Sequence, residues 1–351
     1  MKRHALITGL LSGLLFGVAT PLGKLLLAGL NSFQLAGLLY LGAGIAMIPF
    51  IFRSEGKVRM LFNRRNRLKT LGIIFFGGIL GPVLLLAGLK TANAASVSIW
   101  LNMELVATAI LGVLFFKDHL DRYAWAGVGL TVLAGVVTSL GAGVSGIVPA
   151  MFVIAACISW GIDNHLTALS DGTTPQAVTF VKGIISGCVN IAIGFILAGK
   201  APVELTDISL AVLVGVFSYG VSIVLYVTAA QNIGATRSQI LFSTAPLWGV
   251  LLSAIIFSNS FQAVHIISVV LLAFGILLTN LFSHEHQHSH QAIEHVHMHR
   301  HDDGHHDHSH EGLQISGNKW HTHIHTHKAI THTHKHSPDL HHRHDHDKEK
   351  G

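Results

Sequence analysis

Ten runs of apolar residues, each about 20 long or longer, dominate this chain, and no other feature restricts its fold so strongly. They lie near residues 5–30, 33–52, 70–89, 96–116, 123–141, 147–169, 176–198, 208–230, 236–257 and 261–282. About 20 residues of helix cross the roughly 30 Å hydrocarbon layer of a bilayer. Lipid offers an unpaired amide no partner, so a helix that satisfies its own backbone is the form such a run takes. The pattern predicts an all-α membrane protein of ten transmembrane helices. Composition agrees: only 12% of the 351 residues are charged, against about 25% in a typical soluble domain. The first run follows Lys2 and Arg3 but is too long for a signal peptide. No small-x-small site followed by a polar start ends it, so it reads as a retained span.

Charge is unevenly placed. Residues 1–283 hold 16 Lys and Arg against 8 Asp and Glu, whereas residues 284–351 hold 7 against 10. The connection after the second run carries Arg53, Lys57, Arg59, Arg64, Arg65, Arg67 and Lys69. With Lys2, Arg3, Lys117, Arg122 and Arg237 these put 12 basic residues on one side, against Lys90 and Lys200 in the loops of the other. Cytoplasmic loops collect Lys and Arg, so the expectation is a multi-pass protein of the cell (inner) membrane with both termini in the cytoplasm. In a chain with ten spans the basic loop reads as an orientation signal, and no nucleic-acid partner is expected. Cys157 and Cys188, the only cysteines, sit inside apolar runs and read as free thiols.

The chain also repeats itself. Residues 84–141 lie over 225–282 without a gap, matching Ala94 with Ala235 and Phe116 with Phe257, and Phe16-Gly17 falls on Trp160-Gly161 at a slightly larger offset. Five spans per copy force the second copy to enter the membrane from the opposite face. The expected architecture is two inverted five-helix repeats, 1–141 and 142–282, followed by a tail at 283–351. Inverted repeats are a transporter architecture with the substrate site near mid-membrane.

The segments GLKTANAASVSIWLNMELVATAILGVLFFKDHLDRYAWAGVGLTVLAGV and AAQNIGATRSQILFSTAPLWGVLLSAIIFSNSFQAVHIISVVLLAFGI resemble the EamA-type members of the drug/metabolite transporter superfamily. The shared pattern is an alanine-rich turn, a span containing a Pro, a short polar turn and a glycine-rich closing span. Pro246 fits it; the first copy has Glu104-Leu105 in place of Ala245-Pro246, and Lys117-Asp118-His119 where many relatives have Gly-Glu. The resemblance covers residues 5–282. It implies a ten-span inverted-repeat carrier, usually an exporter of small molecules coupled to ions or to exchange.

Ionisable groups inside spans mark a pathway or a buried pair, because each costs at least about 2.5 to 3.5 kcal/mol in lipid. Glu104 sits mid-span on one helical stripe with Trp100 and Thr108; a carboxyl there can take up and release a proton, or it can simply hydrogen-bond to a neighbouring helix. The sixth run carries Ser159, Asp163, Thr167 and Ser170 on one stripe, and the seventh carries Lys182, Ser186 and Asn190. The short turn between them makes these helices antiparallel neighbours, so Asp163 and Lys182 are expected to pair in the cytoplasmic third, as a structural ion pair or a gate. Asn164 and His165 lie about 100° and 200° around the helix from Asp163. Cys157, Asn164 and His165 share another edge, where Cys157 and His165 offer a metal ligand set or plain packing. Lys24 and His265, near span ends, read as side chains reaching for water.

The tail holds 23 of the 27 histidines. They are His284, His286, His288 and His290; His295, His297, His299 and His301; His305, His306, His308 and His310; His321, His323, His325 and His327; His332, His334 and His336; and His341, His342, His344 and His346. With little apolar periodicity the tail is expected to be disordered. Imidazole suits Zn, Ni, Co and Cu, so the tail is expected to bind transition metal. No cofactor is required, and no nucleophile with a base, nor any phosphate loop, points to an enzyme. The favoured reading is a secondary-active exporter of a divalent transition metal captured by the tail. The alternatives are an exporter of a small organic metabolite with the tail as metal sensor or buffer, and a membrane-anchored metal store. The expected partners are the lipid bilayer and a small-molecule or metal-ion substrate; a homodimer is compatible with the sequence.

Overall fold

The computed structural model describes residues 3–52, 57–116, 122–143, 146–170, 173–198, 204–226, 241–257, 262–281, 285–290, 293–299, 321–327 and 330–335. Helices account for the apolar part. The first rod is α1 (Arg3–Gly17) and α2 (Ala19–Leu26), interrupted at Val18. α3 (Ser32–Ile51) returns, and α4 (Lys57–Leu61) lies in the basic connection. The third rod joins α5 (Arg67–Gly72), a π-helical stretch π1 (Ile73–Leu80) and α6 (Gly81–Thr91). The fourth is α7 (Ala94–Trp100) and α8 (Met103–Phe116); α9 (Arg122–Gly141), α10 (Ile147–Ala168) and α11 (Pro175–Ala198) follow. The eighth is α12 (Leu205–Val214) running into π2 (Gly215–Val221), and α13 (Ala245–Ile256) and α14 (Ala263–Leu281) close the bundle.

Eight helices among the described residues are long and apolar enough to cross a membrane. Two shorter apolar helices, Ala245–Ile256 and Ala263–Leu278, occupy the ninth and tenth expected runs; residues 227–240, where the ninth run begins, lie outside the described residues. Large apolar side chains such as Leu114, Leu140 and Ile196 remain exposed, a surface that suits acyl chains and not water. The molecule is a multi-pass membrane protein.

Between helices in lipid, close packing replaces the hydrophobic drive, and small residues let backbones approach. α3 against α11 is one such case. A Cβ at Gly183 would stand 2.7 Å from both the Gly44 amide nitrogen and the Tyr40 carbonyl oxygen, so only hydrogen fits. The start of α3 is fixed by a capping box: Asn31 Oδ1 accepts the Gln34 N–H at 2.9 Å, and Gln34 Oε1 accepts the Asn31 N–H at 3.1 Å. Asn31 Nδ2 also donates to the Gly194 carbonyl at 3.2 Å, tying this end to α11. Asn31→Ala is expected to lower stability by about 1 kcal/mol, read as a lower thermal midpoint in detergent, while Asn31→Asp keeps the cap; equal midpoints for all three would refute the cap's contribution.

The tail departs from its expectation of disorder. β1 (Glu285–His290) pairs antiparallel with β4 (Ile330–Lys335), and β2 (Ile293–His299) with β3 (His321–His327). An alternation of His with Thr, Ser, Val and Ile has the period of a strand, and pairing satisfies the backbone groups that low apolar content leaves exposed.

Candidate transport pathway

Two rods break at corresponding places. In the fourth, Asn102 N–H reaches back to Ile99 O at 3.1 Å and Glu104 N–H to Leu101 O at 3.1 Å, tighter turns that end α7 and restart the chain as α8. The Trp100 and Leu101 carbonyls face the Cys157 thiol at 3.7 and 3.6 Å. In the ninth rod a turn at Ser243–Thr244 precedes α13, with Thr244 Oγ1 donating to Leu241 O at 2.6 Å. Pro246 stands in the first turn of α13, where its missing N–H costs nothing. The breaks lie 142 residues apart, as do the starts of π1 at Ile73 and π2 at Gly215.

Both breaks face one cavity of about 140 Å³, close to the volume of an engineered cavity that accepts benzene. Its wall includes Phe16 and Thr20 from the first rod, Leu85, Leu86 and Leu89 from α6, and Asn102, Glu104 and Thr108 from the fourth rod. Trp160 and Asn164 of α10, Tyr219 of π2, and Phe242, Ser243 and Pro246 complete it. Phe16 meets the Tyr219 and Phe242 rings with centroids 5.6 and 5.3 Å apart, making an aromatic side. Among the described residues Glu104 is the single carboxylate in the wall, and no Lys, Arg, His or Cys lines it. Glu104 Oε1 accepts a hydrogen bond from Asn164 Nδ2 at 3.0 Å, and the same amide nitrogen lies 3.4 Å from Thr108 Oγ1. Asn102 is 5% exposed, and its Nδ2 has no hydrogen-bond partner among the described residues. The cavity wall therefore carries an acceptor carboxylate together with the Asn102 and Asn164 amides and the hydroxyls of Thr20, Thr108 and Ser243 in a largely apolar and aromatic lining.

A second polar cluster lies behind Trp160, against π1. Widening a helix to the π form loosens its own pairing, and here side chains of other helices bond the carbonyls. Gly77 O accepts from Tyr40 Oη at 2.5 Å and from Trp160 Nε1 at 3.1 Å. Gly78 O accepts from Asn190 Nδ2 at 2.9 Å, and Ile74 O from Ser186 Oγ at 3.2 Å. Beside them Lys182 Nζ donates to Asp163 Oδ2 at 2.7 Å. A Cβ at Gly77 would overlap the Asp163 carboxylate, so this glycine makes room for the ion pair.

The expected pathway residues thus divide. Glu104, Thr108 and Asn164 share the cavity; Asp163, Lys182, Ser186 and Asn190 form the network at π1 and do not line it. Trp100 leaves the stripe on which regular helical spacing put it. The break turns it away from Glu104, its Nε1 donates to Gly135 O at 3.3 Å, and it lines a separate cavity of about 210 Å³ with Ser96, Gln262 and His265. The candidate metal ligands Cys157 and His165 are instead held against the fourth rod, Cys157 by the carbonyls of the break and His165 Nε2 by the Thr108 carbonyl at 3.0 Å. Among the described residues of the helical bundle no group of three or more His, Cys, Asp or Glu is placed to hold a metal ion. Lys24 donates to the Leu89 and Lys90 carbonyls at 2.8 and 2.9 Å, capping α6. Of the tail, His284, His301, His305, His306, His308, His310, His336, His341, His342, His344 and His346 lie outside the described residues. Asn102, Tyr219, Phe242 and Ser243 were missed by sequence reasoning; the pairing of the second-copy Pro246 with its counterpart region in the first copy was the signal that pointed there.

Comparison with known proteins agrees with this geometry. An uncharacterized transporter of Methanothermobacter thermautotrophicus is 26% identical over 283 residues, covering 75% of this chain and 82% of its own. A solved crystal structure of a protein aligns over 80% of this chain and 98% of its own, with a TM-score of 0.58 at 16% identity, which shows a shared fold. The EamA-like transporter family model matches twice, over residues 3–140 and 147–281. With nearly the whole helical bundle covered by those two matches, the chain belongs to the EamA-like transporter family, whose members carry small solutes across membranes.

Proposed function

We propose that this protein is a secondary-active exporter of a small, partly apolar organic solute bearing an amine, bound in the cavity between the two helix breaks. The observation that carries the reading is the Glu104 carboxylate in that aromatic-sided wall, with Asn102, whose buried amide nitrogen has no partner among the described residues, in the same wall. A carboxylate suits an ammonium group, aromatic faces such as Phe16 and Tyr219 add cation–π attraction, and the Asn102 donor suits a carbonyl or carboxylate on the same molecule. The architecture we assign is ten helices in two inverted five-helix repeats, 1–141 and 142–282. Its support is the common 142-residue offset of the breaks and π-stretches, since discontinuous helices at a repeat interface are where such carriers bind substrate. The basic loop and both termini face the cytoplasm in this reading, and the tail acts there as a metal-binding sensor or buffer.

Export of the metal ion itself is the second reading, favoured by the 23 tail histidines. The cavity weighs against it, because one carboxylate and neutral amides or hydroxyls are a poor match for a transition ion that prefers imidazole or thiolate. The test is counterflow in proteoliposomes with labelled amines, amino acids and Zn²⁺. An organic solute should be exchanged, and Glu104→Gln should lower that exchange about 10- to 100-fold, the equivalent of one charge-assisted hydrogen bond of about 1.5 to 3 kcal/mol. Glu104-dependent Zn²⁺ flux with no organic solute carried would replace the first reading by the second.

A further inference from the structure

The strand register of the tail places histidines opposite histidines. In the β2–β3 ribbon His295 faces His325, His297 faces His323 and His299 faces His321; in β1–β4 His286 faces His334 and His288 faces His332. Positions two apart share a face of a strand, and directly opposed positions of an antiparallel pair share a face of the ladder. All six of those β2–β3 histidines therefore fall on one face, in three consecutive rungs. Opposed Cβ atoms stand about 5 Å apart, and successive rungs on one face about 7 Å apart. Two neighbouring rungs thus set four imidazole-bearing positions at the corners of a rectangle small enough for side chains with metal–nitrogen bonds of about 2.0 to 2.1 Å to converge on one ion. The opposite face carries Glu294 and Thr326, Val296 and Ile324, and Met298 and Thr322, with no imidazole.

We propose that the β2–β3 ribbon is a transition-metal site in which each ion is shared by imidazoles of both strands, so that metal staples Ile293–His299 to His321–His327. This rests on the reading of the tail as metal-binding and adds to it. A run such as HVHMH is not an independent ligand cluster; it supplies half of a site whose other half lies more than 20 residues further along the chain. Metal then acts on the tail's fold, closing the chain between the two strands as a loop, which gives a sensor a structural output.

The test uses the full-length protein in nanodiscs, equilibrium dialysis against Zn²⁺ and elemental mass spectrometry of ions bound per chain. Four further chains are compared: one stopped after Ser283, the β2 triple His295→Ala/His297→Ala/His299→Ala, the β3 triple His321→Ala/His323→Ala/His325→Ala, and the two triples combined. Shared sites predict that either triple removes the same ions as the combination. Losses that add, or no loss from either triple, overturn the shared site while leaving tail binding intact. If the full chain binds no more Zn²⁺ than the chain stopped after Ser283, tail metal binding itself fails, and the shared site with it.

Discussion

Lys182→Met is expected to destabilise the protein by about 3 to 5 kcal/mol, the usual cost of stripping one partner from a buried ion pair. Lys182 Nζ sits 2.7 Å from Asp163 Oδ2, with the two side chains 17% and 5% exposed, so the carboxylate left behind has little water to turn to. Its remaining neighbour, Thr167 Oγ1 at 3.4 Å, is a weak substitute. The double change Asp163→Asn/Lys182→Met removes both charges and should recover most of the loss, because a pair replaced by neutral groups is often close to neutral in stability. Thermal unfolding in detergent reads the effect: a fall of several degrees for the single change and near recovery for the double. A single change as stable as the parent would mean that the pair carries no such energy. If the double change is stable yet cannot transport, the pair serves as a gate; if it transports, the pair is structural.

A second large effect belongs to Gly183. Adding one methyl there places it 2.7 Å from two backbone atoms of α3, the Gly44 nitrogen and the Tyr40 oxygen. Neither belongs to a side chain that can rotate away, so α3 and α11 must separate. Overpacking of this kind costs about 1 to 3 kcal/mol and more where the backbone has to move. Gly183→Ala should lower both folded yield and thermal midpoint, and Gly183→Leu should abolish recovery of folded protein. Gly129 on α9 is the control, since nothing lies within 4 Å of its added Cβ. Gly129→Ala should be neutral or slightly stabilising, because Ala is the better helix former by about 1 kcal/mol. Similar behaviour of the two alanine variants would show that the α3–α11 approach does not limit stability.

Much of the membrane part was legible because hydropathy is additive along the chain: any run of about 20 apolar residues must become a helix in lipid whatever surrounds it. The Asp163–Lys182 pair was legible for a related reason, since a short turn between two helices fixes which positions stand side by side. The candidate site was read less completely. Helical spacing put Trp100 with Glu104, and this failed at Leu101–Asn102, where neither Pro nor Gly announces a break. Strand pairing in the tail was hidden for the opposite reason: its alternation was plain, but low apolar content argued for disorder, and the partner strands lie far apart in sequence.

What the sequence determined by itself was the number and placing of apolar runs, the basic loop and the histidine-rich composition of the tail. All follow from composition and period, which act locally. Only the tertiary structure decided which polar residues share a cavity. Glu104, Asn102 and Asn164 share one wall because α10 packs against a broken rod whose Leu101 carbonyl faces Cys157, 56 positions away. The π1 carbonyls likewise take their partners from Tyr40, Trp160, Ser186 and Asn190 on three other helices. A backbone group freed inside a membrane must find a donor or acceptor from another part of the chain, and which one it finds depends on helix packing that no local window of sequence contains.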